Sequence, residues 1–116
     1  MPIKDWSENI LLGELQDDPI FSEDLNVLQE SIEETPGRHV VLDLSGITFL
    51  NSSNIAKLLK LRKVMLNDDT NNKPAKLRLC GINTGVWGVF LVTGLDKIFE
   101  FCDDVSSGLA SVQLDG

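Results

Sequence analysis

The sequence predicts a single α/β domain, a mixed and mostly parallel sheet of four to five strands with helices packed against it. Three observations lead there. The run His39 to Leu44 is nearly continuously apolar, the pattern of a strand buried on both faces, as in parallel sheets. Short strand-like runs alternate along the chain with apolar stripes at helical spacing, which implies right-handed crossovers between neighbouring strands. A length of 116 residues suits one domain, residues 1–116, with a real core and no room for a second.

In chain order, Ile10 to Leu15 reads as a strand, broken by Asp17-Asp18-Pro19. Ser22 is the expected N-cap of a first helix, with Glu23 and Asp24 complementing its dipole. Phe21, Leu25, Leu28 and Ile32 form one face of that helix, which ends near Glu34 and is stopped by Thr35-Pro36-Gly37. After the His39–Leu44 strand, Ile55, Leu58, Leu59, Arg62, Met65 and Leu66 mark the expected buried face of a second helix. Asn67 to Pro74 is a polar stretch without periodicity, expected to be a loop. Ala75 to Ile82 alternates as a strand, Leu77 and Leu79 opposite Lys76 and Arg78. Asn83 to Val92 reads as a helix that Gly94 ends in a left-handed conformation. Lys97 to Cys102 is a final strand, and Val105 to Val112 a terminal helix.

Composition narrows the function. No apolar run is long enough to span a membrane, and Met1 to Trp6 lacks the layout of a signal peptide, so a cytoplasmic protein without membrane insertion is expected. A net charge of −8 argues against nucleic acid as a direct ligand, which needs a basic footprint. The charge is uneven. Up to Glu34 the only base is Lys4, whereas Lys57, Lys60, Arg62 and Lys63 cluster on the second helix, either a solvated face or a surface that steers a protein partner. Cys80 and Cys102 are expected to be isolated from each other and from any histidine, and in their apolar segments they read as small buried hydrophobes. With His39 the only histidine, no metal site is expected. The sequence holds no Ser/His/Asp spacing, no Gly-rich phosphate loop and no framed acid/base pair. Asp43 is expected at the sheet rather than at a substrate. The expectation is a non-enzyme without a cofactor.

One segment stands out. The strand is followed by a Gly turn, the apolar pair Phe49-Leu50, then Asn51-Ser52-Ser53-Asn54 and an amphipathic helix. Two adjacent hydroxyls therefore fall at a helix start, where unpaired amides and the positive dipole end favour added negative charge. Asn and Ser are also preferred helix caps with no further role.

The whole segment resembles the STAS domain, the fold of anti-sigma factor antagonists. The matching residues are Leu42-Asp43-Leu44-Ser45-Gly46-Ile47, then Asn51-Ser52-Ser53-Asn54. Val92-Thr93-Gly94-Leu95-Asp96-Lys97-Ile98-Phe99 downstream and Gly13-Glu14-Leu15 upstream resemble two further family stretches. The resemblance implies a module that binds an anti-sigma factor with serine kinase activity and is switched by phosphorylation. Ser52 occupies the place of the regulated serine, with Ser53 the second candidate. It further implies that Gln16, Asn51, Asn54, Lys57 and Lys60 belong to the partner-binding surface. Asn51 and Gln16 stand where the family has Asp, and Asn54 where it has Gly. These departures favour an alternative: a constitutive STAS interaction or scaffold subunit of a sensory assembly or a lipid-transport complex, with a motif that is not phosphorylated. Trp87 and Leu91 stand where the family helix is usually charged. If exposed, they form an apolar patch for a partner or a homo-oligomer; if covered, the terminal segment or the Trp6 region covers them. A small-ligand binder ranks last.

Overall fold

The structure is a computed structural model and describes residues 3–66 and 75–114. Five strands form one sheet in the order β1-β2-β3-β4-β5: β1 (Ile3–Ser7), β2 (Ile10–Gln16), β3 (His39–Gly46), β4 (Leu77–Cys80) and β5 (Glu100–Cys102). β1 pairs antiparallel with β2, and every later pairing is parallel. Helices α1 (Ile20–Glu34), α2 (Ser52–Leu66) and α3 (Thr84–Thr93) make the crossovers. A short 3-10 turn (Leu95–Lys97) leads into β5, and α4 (Val105–Leu114) follows it.

This topology sets the layers. Each parallel strand is added on the same side of its predecessor, so right-handed crossovers put α1, α2 and α3 on one face. The main core lies there: Leu11, Leu15, Val40, Leu42, Leu44, Leu77 and Leu79 of the sheet meet Phe21, Leu25, Leu28, Leu58, Leu61 and Phe90 of the helices. The opposite face is left to α4, whose Val112, Val105 and Leu109 cover Ile10, Leu12, Val41 and Cys80. β3, the central strand, is buried on both sides as its apolar run predicts.

Several expectations are corrected. β1 was not anticipated; it is held at the edge by ion pairs from Lys4 to Glu14 (2.9 Å) and from Asp5 to Arg38 (3.0 Å). The final strand is shorter than Lys97 to Cys102, because Leu95 to Lys97 is helical. The buried stripe of α2 is Asn54, Leu58, Leu61 and Met65, while Leu59 and Leu66 are exposed. Cys80 and Cys102 are not isolated from each other: they are register partners on β4 and β5. Both are free thiols, Cys80 buried and Cys102 half-buried, and burial pushes the Cys80 thiol up to about 12. Asp43 is half-buried at the sheet and accepts the Ser45 N–H (2.9 Å). The expected loop from Asn67 to Pro74 lies outside the described residues.

Candidate functional site

The C-terminal ends of β2 and β3 bring the β2–α1 and β3–α2 connections together on one rim of the sheet, the side on which open α/β sheets bind their ligands. Two carboxylates organise it. Asp17 accepts the backbone N–H of Thr48 (2.9 Å) and of Phe49 (3.3 Å), and also the Thr48 hydroxyl. These bonds, the Thr48 hydroxyl first, hold its carboxyl below the usual range. The loop before α2 is thereby clamped, and it presents the Phe49 ring 65% exposed.

Asp18 works on both helices. Its Oδ1 accepts the Ser22 N–H (2.9 Å) and hydroxyl (2.7 Å), and its Oδ2 accepts the Asn54 side-chain amide (2.7 Å). The Ser22 hydroxyl, then Asn54, lower its pKa. Ser22 is therefore not the expected N-cap. It lies inside α1 and donates, Pro19 occupies the cap position without a side-chain bond, and Asp18 supplies the acceptor.

The start of α2 is built on two asparagines. Asn51 Oδ1 accepts the Asn54 N–H (2.8 Å), and Asn54 Oδ1 accepts the Asn51 N–H (3.1 Å). This is a reciprocal capping box made of Asn and Asn. Asn54 is 1% exposed and spends its backbone N–H, its carbonyl and its amide on these bonds. Its expected place on the partner-binding surface is corrected: a buried side chain with its bonds filled supports that surface from beneath. Asn51 is half-buried beside it.

Ser52 and Ser53 are the first two residues of the helix and are exposed. Neither hydroxyl bonds to another described residue. The box satisfies the amides on either side and leaves those of Ser52 and Ser53 as open donors at the dipole's positive end.

Gln16 is exposed and stands opposite Gly46 in the β2–β3 register, on the same rim. Lys57 and Lys60 line a polar cleft of about 290 Å³ between α1 and α2, with Asn26, Gln29, Glu30 and Glu33 on its other wall. They face the acids of α1, not only the outside. Trp87 and Leu91 lie on α3, outside this hydrogen-bonded cluster. The Trp87 ring is half-buried and meets Phe101 edge-on at 4.8 Å between centroids, while Leu91 is 50% exposed. Among the described residues, Phe101 of β5 is the ring that packs edge-on against Trp87, so β5 is its cover. Sequence reading missed Asp17, Asp18 and Phe49. The available signal was an acidic pair directly after a strand, where it can cap whatever helix starts nearby.

A family model described as "STAS domain" matches residues 17–108, most of the chain. The chain belongs to the STAS domain family. A curated relative, the anti-sigma F factor antagonist of Paenibacillus polymyxa, is 25% identical over 87 residues, covering 75% of this chain and 70% of the relative. Among solved structures, a STAS domain protein from Planctomyces limnophilus, described as an anti-sigma-factor antagonist, superposes with a TM-score of 0.78 at 18% identity, covering 96% of this chain and 97% of that one. A serine-to-glutamate variant of RsbS from Moorella thermoacetica superposes at 0.74 with 16% identity, covering 97% and 93%. At these identities the solved structures establish the fold alone. The STAS match takes in the rim from Asp17 through Asn54 and runs on past the end of β5, with Gln16 just outside it.

Proposed function

We propose that this STAS domain is an anti-sigma factor antagonist-like regulatory module, a non-enzyme that binds an anti-sigma factor with serine kinase activity and is released by phosphorylation at Ser52. The observation that carries the reading is the setting of Ser52: an exposed hydroxyl with no bond to another described residue, on the first residue of α2 and framed by the Asn51–Asn54 box. A kinase can reach it without local unfolding. The relation to an anti-sigma F factor antagonist supports the partner class.

The chemistry of release follows from charge. A phosphoserine adds close to two negative charges and three acceptor oxygens. The open amides of the first turn favour that charge, so the domain itself tolerates it. A partner does not. The rim already holds Asp17 and Asp18 in their charged forms, each below its usual pKa, and a phosphate strengthens one acidic patch. A surface that accepted the unmodified hydroxyl then meets repulsion and a costly desolvation. Gln16, Phe49 and Ser53 flank the contact on this reading, with Lys57 and Lys60 at its α1–α2 margin.

The test is intact-mass analysis of the protein from its native cells with site localisation, joined to binding by the kinase. The expected result is one phosphate on Ser52, lost in Ser52→Ala and kept in Ser53→Ala, with weaker kinase binding by the modified form. The absence of phosphate from both Ser52 and Ser53, together with the absence of kinase binding under every growth condition, sinks the proposal. One observation favours the constitutive scaffold instead: the Asn–Asn box caps the start of α2 with no phosphate needed. That reading predicts a fixed partner insensitive to phosphatase.

A further inference from the structure

Helix α3 is apolar all round: Thr84-Gly-Val-Trp-Gly-Val-Phe-Leu-Val-Thr93. A helix of this kind is ordinarily buried on every side. Here only Val86 and Phe90 are buried; Leu91 is 50% exposed and Val92 89%. No charged residue occurs between Arg78 and Asp96, in a chain whose net charge is −8.

The outer face has a definite shape. At 100° per residue, Thr84, Gly85 and Gly88 lie opposite Val86 and Phe90, with Leu91 and Val92 following one turn later. A Cβ at Gly88 would meet nothing within 4 Å, and one at Gly85 only Asn83 Oδ1 at 3.8 Å. The face is a flat shelf beside an apolar ridge.

We infer that this face seats the same face of a second copy, as an antiparallel pair about a two-fold axis. Two features select a second copy as the occupant. A two-fold contact needs a patch complementary to itself, and this one carries both halves: the Leu91/Val92 ridge of each copy rests on the Gly85/Gly88 shelf of the other. Shelf glycines allow the helix axes to approach closely. Charge supplies the second reason. Two chains of the same acidic charge repel through most of their surfaces, whereas the α3 face opposes no like charges. The helix is about 15 Å long, so the contact is smaller than a stable interface and the dimer is weak and reversible. This inference does not rest on the regulatory reading of Ser52.

Sedimentation velocity of the full chain, from about 10 µM to about 1 mM, tests it in the range where weak contacts populate. The expected result is a weight-average mass that rises toward twice the monomer. Val92→Glu and Gly88→Leu should each weaken the dimer by at least about tenfold. The open space around Gly88 lets the monomer accept the leucine, which circular dichroism checks. Leu66→Glu, an exposed apolar site on α2, should leave the dimer unchanged. A chain that stays monomeric at the highest concentration, or a dimer that either α3 variant leaves intact, overturns the inference.

Discussion

Asn51 and Asn54 cap each other across the first turn of α2, each side-chain carbonyl accepting the other's backbone N–H at 2.8 and 3.1 Å. Two of the three residues that set this chain's motif apart in sequence, Gln16 being the third, are therefore a matched pair. They build the frame, and the serines between them are what the frame displays. Asn54 extends it further, because its amide reaches Asp18 across 36 positions of sequence. The start of α2 is thus tied to the start of α1.

From this we expect Asn54→Ala to cost about 1–3 kcal/mol, since it removes a cap acceptor and the donor to Asp18 at a buried position. Ser52→Ala and Ser53→Ala remove exposed, unbonded hydroxyls and should stay within about 0.5 kcal/mol. Urea midpoints measure all three. An Asn54→Ala protein as stable as the parent would mean that the box contributes nothing.

The carboxylates make the domain sensitive to acid. Asp17 and Asp18 titrate below their ordinary value because they accept hydrogen bonds in the fold, and Asp104 does so by capping α4 through Ser107. For a lowered folded pKa the stabilisation is present above the unfolded value, near 3.9, and is lost as pH falls through the folded value. Asp24 has the opposite sign: burial raises its pKa, one oxygen has no hydrogen-bond partner among the described residues, and protonation relieves it. We expect urea midpoints to fall below about pH 4, less steeply in Asp18→Asn. An equal acid slope in that variant would remove Asp18 from the linkage.

Two helix glycines should respond in opposite directions. An added Cβ at Gly108 would lie 2.5 Å from Cys80 Sγ and 3.1 Å from a Val41 methyl, whereas Gly88 faces open space. Both gain up to about 1 kcal/mol in helix propensity from Ala. At Gly108 overpacking of about 1–3 kcal/mol outweighs it. Gly88→Ala should therefore raise the melting temperature and Gly108→Ala lower it. Cys80→Ala should rescue Gly108→Ala, and a failure to do so would place the strain elsewhere.

The residues that announced themselves in the sequence did so through local rules. β3 could be read because burial on both faces leaves a continuous apolar run, and α3 because Asn83 caps it, accepting the Val86 N–H, and Gly94 ends it at φ 77°. Failures occurred where distant residues decide. The apolar residues of α2 support two overlapping stripes, and only contact with α1 and the sheet selects Leu58, Leu61 and Met65 over Leu59 and Leu66. β1 has no apolar alternation, being an exposed edge strand fixed by pairing and by Arg38. Cys80 and Cys102 become neighbours only through a parallel crossover. At the site, the serines were legible from motif and helix start, but burial of Asn54 depends on Asp18, and the display of Phe49 on Asp17.

Phe49 carries the last expectation. Its ring is 65% exposed, so Phe49→Ala should change folding stability by no more than about 0.5 kcal/mol. An aromatic ring held on a clamped loop loses little entropy when it docks, which is the character of an interface anchor. We therefore expect Phe49→Ala to weaken binding of the anti-sigma kinase by about 30-fold, with phosphorylation status unchanged in the sample. Asp17→Asn, which loosens the clamp and keeps the ring, should weaken binding less and slow association more than it speeds release. Titration calorimetry and surface binding kinetics with the purified kinase separate the two effects. Equal affinities for the parent and Phe49→Ala would move the contact away from the β3–α2 loop.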